Sequence, residues 1–124
     1  MANRGYVDLQ VWAKAMDLAA MVYGLGPSMP KTELYGMTSQ MQRAAASVPA
    51  NIAEGYQRGS SKDYARFVSI ARGSLAETET FLLLARVGHL SSDAIHPSLA
   101  LADELSRMLT RLKQRLDAAP LSES

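Results

Sequence analysis

The stretch QRAAASVPANIAEGYQRGSSKDY, residues 42–64, decides how this 124-residue chain folds. Met37, Met41, Ala45, Val48 and Ile52 recur at spacings of four and three, which makes one apolar stripe on an amphipathic helix. Directly beside it runs a polar stripe of Gln40, Arg43, Ser47, Asn51, Glu54 and Arg58, also at helical spacing. Ala44, Ala46, Ala50 and Ala53 lie among them and let another helix approach closely. Pro49 removes one backbone donor and crowds the carbonyl of Ala45, which predicts a bend costing about 3 kcal/mol. Ser47 and Asn51 are near enough to satisfy the freed backbone groups. The helix ends across Gly55 and Gly59. Ser60 and Asp63 then have the spacing of a capping box, with Asp in place of Glu, and open a second helix.

Working outward, the same periodicity continues. Upstream, Asp8 is the candidate N-cap, and Leu9, Trp12, Met16, Ala19 and Tyr23 form a stripe that stops at Gly24. LGPSMP, residues 25–30, is a loop by its glycine and prolines. The next helix starts between Thr32 and Thr38, either of which can cap it. Downstream, the helix opened by Ser60 runs to Gly88, roughly 40 Å at ~1.5 Å per residue. Phe67, Ile70, Ser74, Glu77, Phe81 and Leu84 share one of its faces, apolar at the ends and polar at the centre. HLSSDAIHP, residues 89–97, breaks the pattern, and Pro97 places a new helix start nearby. Leu101, Leu105, Met108, Leu112 and Leu116 form the last seam, followed by a frayed tail from residue 118. The reading is all-α, with helices at roughly 8–24, 32–57, 61–88 and 93–118 in one domain spanning 1–124. Short connections imply an antiparallel up-down four-helix bundle.

Composition narrows the function classes. Apolar residues make up 48% and charged residues 20%, with net charge +1, as in an ordinary globular protein. Cysteine is absent, so neither a disulfide framework nor a thiolate metal site is available. The absence of cysteine, of a signal-peptide pattern and of a long apolar run fits a cytoplasmic protein without a membrane span. His89 and His96 are the only histidines, and no Glu-x-x-His pair exists, so no metal or other cofactor is expected. No nucleophile elbow or phosphate loop occurs. Glu54 and Glu77 are the one conceivable acid–base pair, but carboxylates on long helices more often partner arginines. Residues 55–90 hold five basic and three acidic side chains, a mild bias.

VWAKAMDLAAMVY, YGMTSQMQRAAASVPANIAEG and FVSIARGSLAETET together resemble a family of four-helix bundle proteins encoded in intervening sequences of bacterial 23S ribosomal RNA genes. The resemblance covers residues 9–116. It implies a homopentameric bundle without enzymatic activity, similar to the accessory protein of diversity-generating retroelements, which works with a reverse transcriptase and nucleic acid. That protein is strongly basic, whereas this chain is nearly neutral. The expectation is a non-enzymatic homo-oligomeric scaffold contacting RNA or DNA through Arg43, Arg58, Lys62, Arg66 and Arg72. Gln40, Arg43, Ser47, Asn51, Glu54 and Glu77 are expected to form a polar packing or interface network. The alternative is a protein–protein adaptor for a polymerase or other partner, without direct nucleic-acid contact.

Overall fold

A computed structural model describes residues 5–119, apart from the side chains of Val7 and Asp8. The predicted tail therefore lies mostly outside the described residues. Four helices carry the fold: α1 Gln10–Gly24, α2 Met37–Gln57, α3 Ser61–Gly88 and α4 Ser92–Asp117. They pack in a ring in which α2 lies against α1 and α3, and α4 closes it against α3 and α1. This is the expected antiparallel four-helix bundle, and no strand occurs among the described residues.

Helix ends follow local chemistry. A single turn of 3-10 helix, Gly5–Asp8, precedes α1, and Leu9 rather than Asp8 occupies the cap position. The side chain of Asp8, the expected cap, lies outside the described residues. Two further 3-10 turns, Gly26–Ser28 and Lys31–Glu33, fill the α1–α2 connection. As a result α2 begins at Met37, later than the earliest expected start, and neither Thr32 nor Thr38 caps it. Instead the Glu33 carboxylate accepts the Met37 N–H at 3.2 Å. Ser60 accepts the Asp63 N–H at 3.1 Å, as the capping-box spacing predicts, and Ser91 does the same for Ala94 at 3.0 Å. Gly59, at φ +89°, turns the chain from α2 into α3 in a conformation that side-chain-bearing residues rarely adopt. Pro97 sits one turn inside α4, where it withholds a single N–H from the first turn.

The core bears out the predicted α2 stripe, with Met37 half-buried at its end, and shifts the other three in part. Met41, Ala45, Val48 and Ile52 of α2 are fully buried. On α1 the buried line is Val11, Ala15, Leu18 and Val22, joined by Ala19, while the predicted Met16 and Tyr23 are exposed. On α3 the inward line is Val68, Ala71, Leu75, Thr78, Leu82 and Ala85, a 3-4-3-4-3 heptad seam. Of the predicted α3 face, Phe67 and Ser74 are buried, Phe81 is half-buried, and Ile70, Glu77 and Leu84 are exposed. On α4 the seam is Ile95, Ser98, Ala102, Leu105 and Leu109, and the other predicted leucines and Met108 flank it half-buried. Lys14 of α1 and Glu104 of α4 bridge the outside at 2.8 Å. Their hydrogen bond raises the Lys14 pKa.

α2 continues as a helix through Pro49, which is itself buried. The group that proline leaves without a helical donor is the Ala45 carbonyl. Asn51 does not serve it: its amide donates to the Ser47 carbonyl at 2.8 Å and to the Ser47 hydroxyl at 2.9 Å.

Candidate functional site

The α2–α3 pair carries the polar stripe. Gly55 lets the helices meet at one end, since a Cβ there would stand 2.6 Å from the Cβ of Phe67. At mid-length the contact is polar. The Ser47 and Ser74 hydroxyls bond across the helices at 2.8 Å, and Thr78 donates to the Ser74 carbonyl at 2.8 Å. Ser47, Asn51 and Ser74 thus form a compact hydrogen-bonded set. The rest of the expected network does not close within the chain. Gln40, Arg43, Glu54 and Glu77 are exposed, and Glu54 pairs with Arg58 on its own helix at 2.9 Å.

Outside this set lies a groove of about 490 Å³, lined by Tyr35, Ser39, Gln40, Arg43, Ala44, Ser47, Glu77 and Phe81. Arg43 and Glu77 both face it, and neither has an ion-pair partner among the described residues. Tyr35 at its rim is 94% exposed. Glu54 does not line the groove, so the structure does not bring Glu54 and Glu77 together in one cavity.

The five predicted basic residues separate into three places. Arg58 and Arg66 meet where α2 hands over to α3, and Lys62 lies one helical turn before Arg66. The guanidinium of Arg58 lies 5.0 Å from the centre of the Phe67 ring, and that of Arg66 lies 4.4 Å from it. The glycine turn that separates Arg58 from Lys62 in sequence folds them back onto one corner. A guanidinium over a ring gains about 0.5–1 kcal/mol at an exposed site and loses rotamer freedom beforehand. Arg58 also carries the Glu54 pair, and Arg66 lies 3.9 Å from Asp63. Lys62 is exposed and has no ion-pair partner among the described residues. Arg43 stands in the groove. Arg72, six residues beyond Arg66 on the same helix, points to another side of the bundle.

A family model for the 23S rRNA-intervening sequence protein matches residues 7–111, all of α1 to α3 and most of α4. The chain belongs to the 23S rRNA-intervening sequence protein family. Among solved structures it is similar to a protein of unknown function from the S23 ribosomal protein family of Bacteroides thetaiotaomicron. The two share 25% identity with a TM-score of 0.75, over 83% of this chain and 97% of that one. A comparison with curated proteins finds no match.

In this member of the family, sequence reasoning missed two basic residues, Arg111 and Arg115 of α4. Both are exposed and neither has an ion-pair partner among the described residues. They line a smaller cleft at the same end of the bundle as the Arg58–Lys62–Arg66 corner. The signal was present, since neither has an acidic residue three or four positions away to neutralise it along the helix. By contrast Arg107 has Asp103 and Lys113 has Asp117, and both pairs form. Among the described residues no group of three His, Asp or Glu side chains could hold a metal ion. No helix among them is long and apolar enough to cross a membrane.

Proposed function

We propose that this protein is a non-enzymatic scaffold that assembles as a homopentamer and contacts the phosphate backbone of RNA or DNA through Arg58, Lys62 and Arg66. The observation that carries the reading is the corner itself. Arg58, just past the end of α2, and Arg66 of α3 both lie over the Phe67 ring, and Lys62 is one helical turn before Arg66 on the same side of α3. Phosphate contacts of this kind supply affinity without sequence choice and weaken as salt diminishes the counterion gain. Assembly supports the reading, because symmetry repeats the corner around a ring and gives a nearly neutral chain a locally positive field. The groove between α2 and α3 is the proposed self-contact. Its unpaired Arg43 and Glu77 give it charges of both signs, so a second copy can supply the counter-charge to each.

The test is binding to a labelled duplex and a labelled single strand between 50 and 200 mM salt. Affinity is expected to fall steeply across that range. R58Q/K62Q/R66Q is expected to weaken binding on every sequence and to flatten the salt slope by about one for each phosphate no longer neutralised. A salt-independent affinity, or no binding at low salt, would overturn the phosphate reading.

A second reading rests on a different face. Met16 and Tyr23 lie one above the other on the outside of α1, 44% and 49% exposed. This favours α1 as a docking face for a protein partner such as a polymerase. M16K/Y23K separates the two readings. It would abolish partner capture while leaving oligomer mass and nucleic-acid affinity unchanged if α1 is an adaptor face.

A further inference from the structure

The cleft of about 280 Å³ at the basic end of the bundle is chemically distinct from the Arg58–Lys62–Arg66 corner. Leu9, Val11, Met108 and Leu112 supply apolar walls, and the polar groups around it are Gln10, Tyr64, Arg111 and Arg115. Among the described residues no acidic side chain lines it. Arg111 and Arg115 are four residues apart on α4, so their guanidiniums rise from the same face. Tyr64 reaches the cleft from the start of α3. It is half-buried, and its ring meets Tyr56 edge-on at 5.7 Å. Burial pushes the Tyr64 hydroxyl up to about 12, followed by the effect of Tyr56, while the positive charge of Arg115 acts in the opposite direction. The phenol therefore stays protonated, a hydrogen-bond donor close to a cation.

We infer that the cleft framed by Tyr64, Arg111 and Arg115 binds a phosphate monoester, carried either by the terminal phosphate of a nucleic-acid strand or by a free mononucleotide. Two unpaired guanidiniums match a dianion, because each can present a fork of N–H donors to phosphate oxygens. Tyr64 adds a neutral donor, and Gln10 adds a side-chain amide to the lining. An internal phosphodiester carries one charge and chain on both sides, so it suits an open surface such as the Arg58 corner. A terminal group carries chain on one side only and can enter a concave site. The apolar walls then have a role, as cover for the sugar or base next to the phosphate.

Three probes test this on the full chain: one oligonucleotide with a 5′-phosphate, the same oligonucleotide with a 5′-hydroxyl, and adenosine monophosphate. The phosphorylated strand is expected to bind about tenfold tighter than the hydroxyl strand. R111Q/R115Q is expected to erase that ratio while retaining wild-type helical circular dichroism, since both side chains are exposed. R111K/R115K, which keeps charge but loses the fork, is expected to restore it only in part. R58Q/K62Q/R66Q should weaken both strands and keep their ratio, so failure of this site and failure of the phosphate-backbone reading are distinguishable. Binding of adenosine monophosphate that R111Q/R115Q abolishes, without selectivity between the strands, would assign the cleft to free nucleotides. Equal affinity for both strands together with no binding of adenosine monophosphate would overturn the inference.

Discussion

Glu79 of α3 shows how position alone changes a side chain's chemistry. It is half-buried against α4, and burial raises its carboxyl above the ordinary range, with the nearby Asp103 charge adding to the effect. A raised carboxyl favours its protonated form in the folded state. Its stabilising contribution is therefore complete below the ordinary glutamate value near ~4.3 and is lost as pH rises through the raised one. E79Q keeps the shape and removes the titration. Its melting temperature should exceed that of the wild type by a margin that grows between pH 4 and pH 7. A margin that stays constant or shrinks over that range would contradict the assignment. Nothing in the local sequence announces this, because Glu79 and Asp103 are 24 residues apart and meet only when α3 and α4 pack.

At the scale of elements, the α2–α3 pair turns on glycine and alanine. Replacing a helical glycine with alanine ordinarily gains up to about 1 kcal/mol from propensity. At Gly55 the new methyl would lie 2.6 Å from Phe67 and 3.1 Å from Tyr64. G55A is accordingly expected to lose about 1–3 kcal/mol through overpacking, read as a lower urea midpoint. Gly73 also lies inside a helix, but a methyl there meets nothing within 4 Å. G73A should gain about 0.5–1 kcal/mol, and equal effects at the two positions would refute the close-approach account. The same pair explains which stripes were legible. On α2 the small and polar residues leave Met41, Val48 and Ile52 as the unambiguous inward line. On α3 the inward line contains Ala71, Thr78 and Ala85, whereas the larger Ile70 and Leu84 point outward. Apolar size therefore pointed to the wrong face, and α1 misleads in the same way through Met16 and Tyr23.

For the whole molecule, the outward apolar groups and the groove that holds Arg43 and Glu77 both bear on the proposed assembly. Tyr35, Ile70, Leu84 and Val87 are exposed on the single chain, Val87 at 83%. A homopentamer would have five times the 13.4 kDa chain mass in light scattering at micromolar concentration. R43E should dissociate it, and R43E with E77R should restore it if Arg43 of one copy meets Glu77 of the next. A monomer mass for the wild type would remove the ring, and with it the multiplied charge on which the phosphate-backbone reading draws.

Sequence alone determined the class and the joints. Periodicity, the Ser60–Asp63 cap, Gly59 and the breaks around residues 25–30 and 89–97 specify four helices in one bundle, because these signals act between neighbours a few residues apart, and the structure narrows the last break to residues 89–91. Tertiary structure decided which face of each helix points inward, since α1 and α3 carry apolar residues on two sides and only the neighbouring helices choose between them. It also decided which residues make up the proposed binding surfaces. Arg58 and Arg66 share Phe67 because the chain reverses between them, and Arg111 joins Tyr64 across 47 residues of sequence because α3 and α4 run antiparallel.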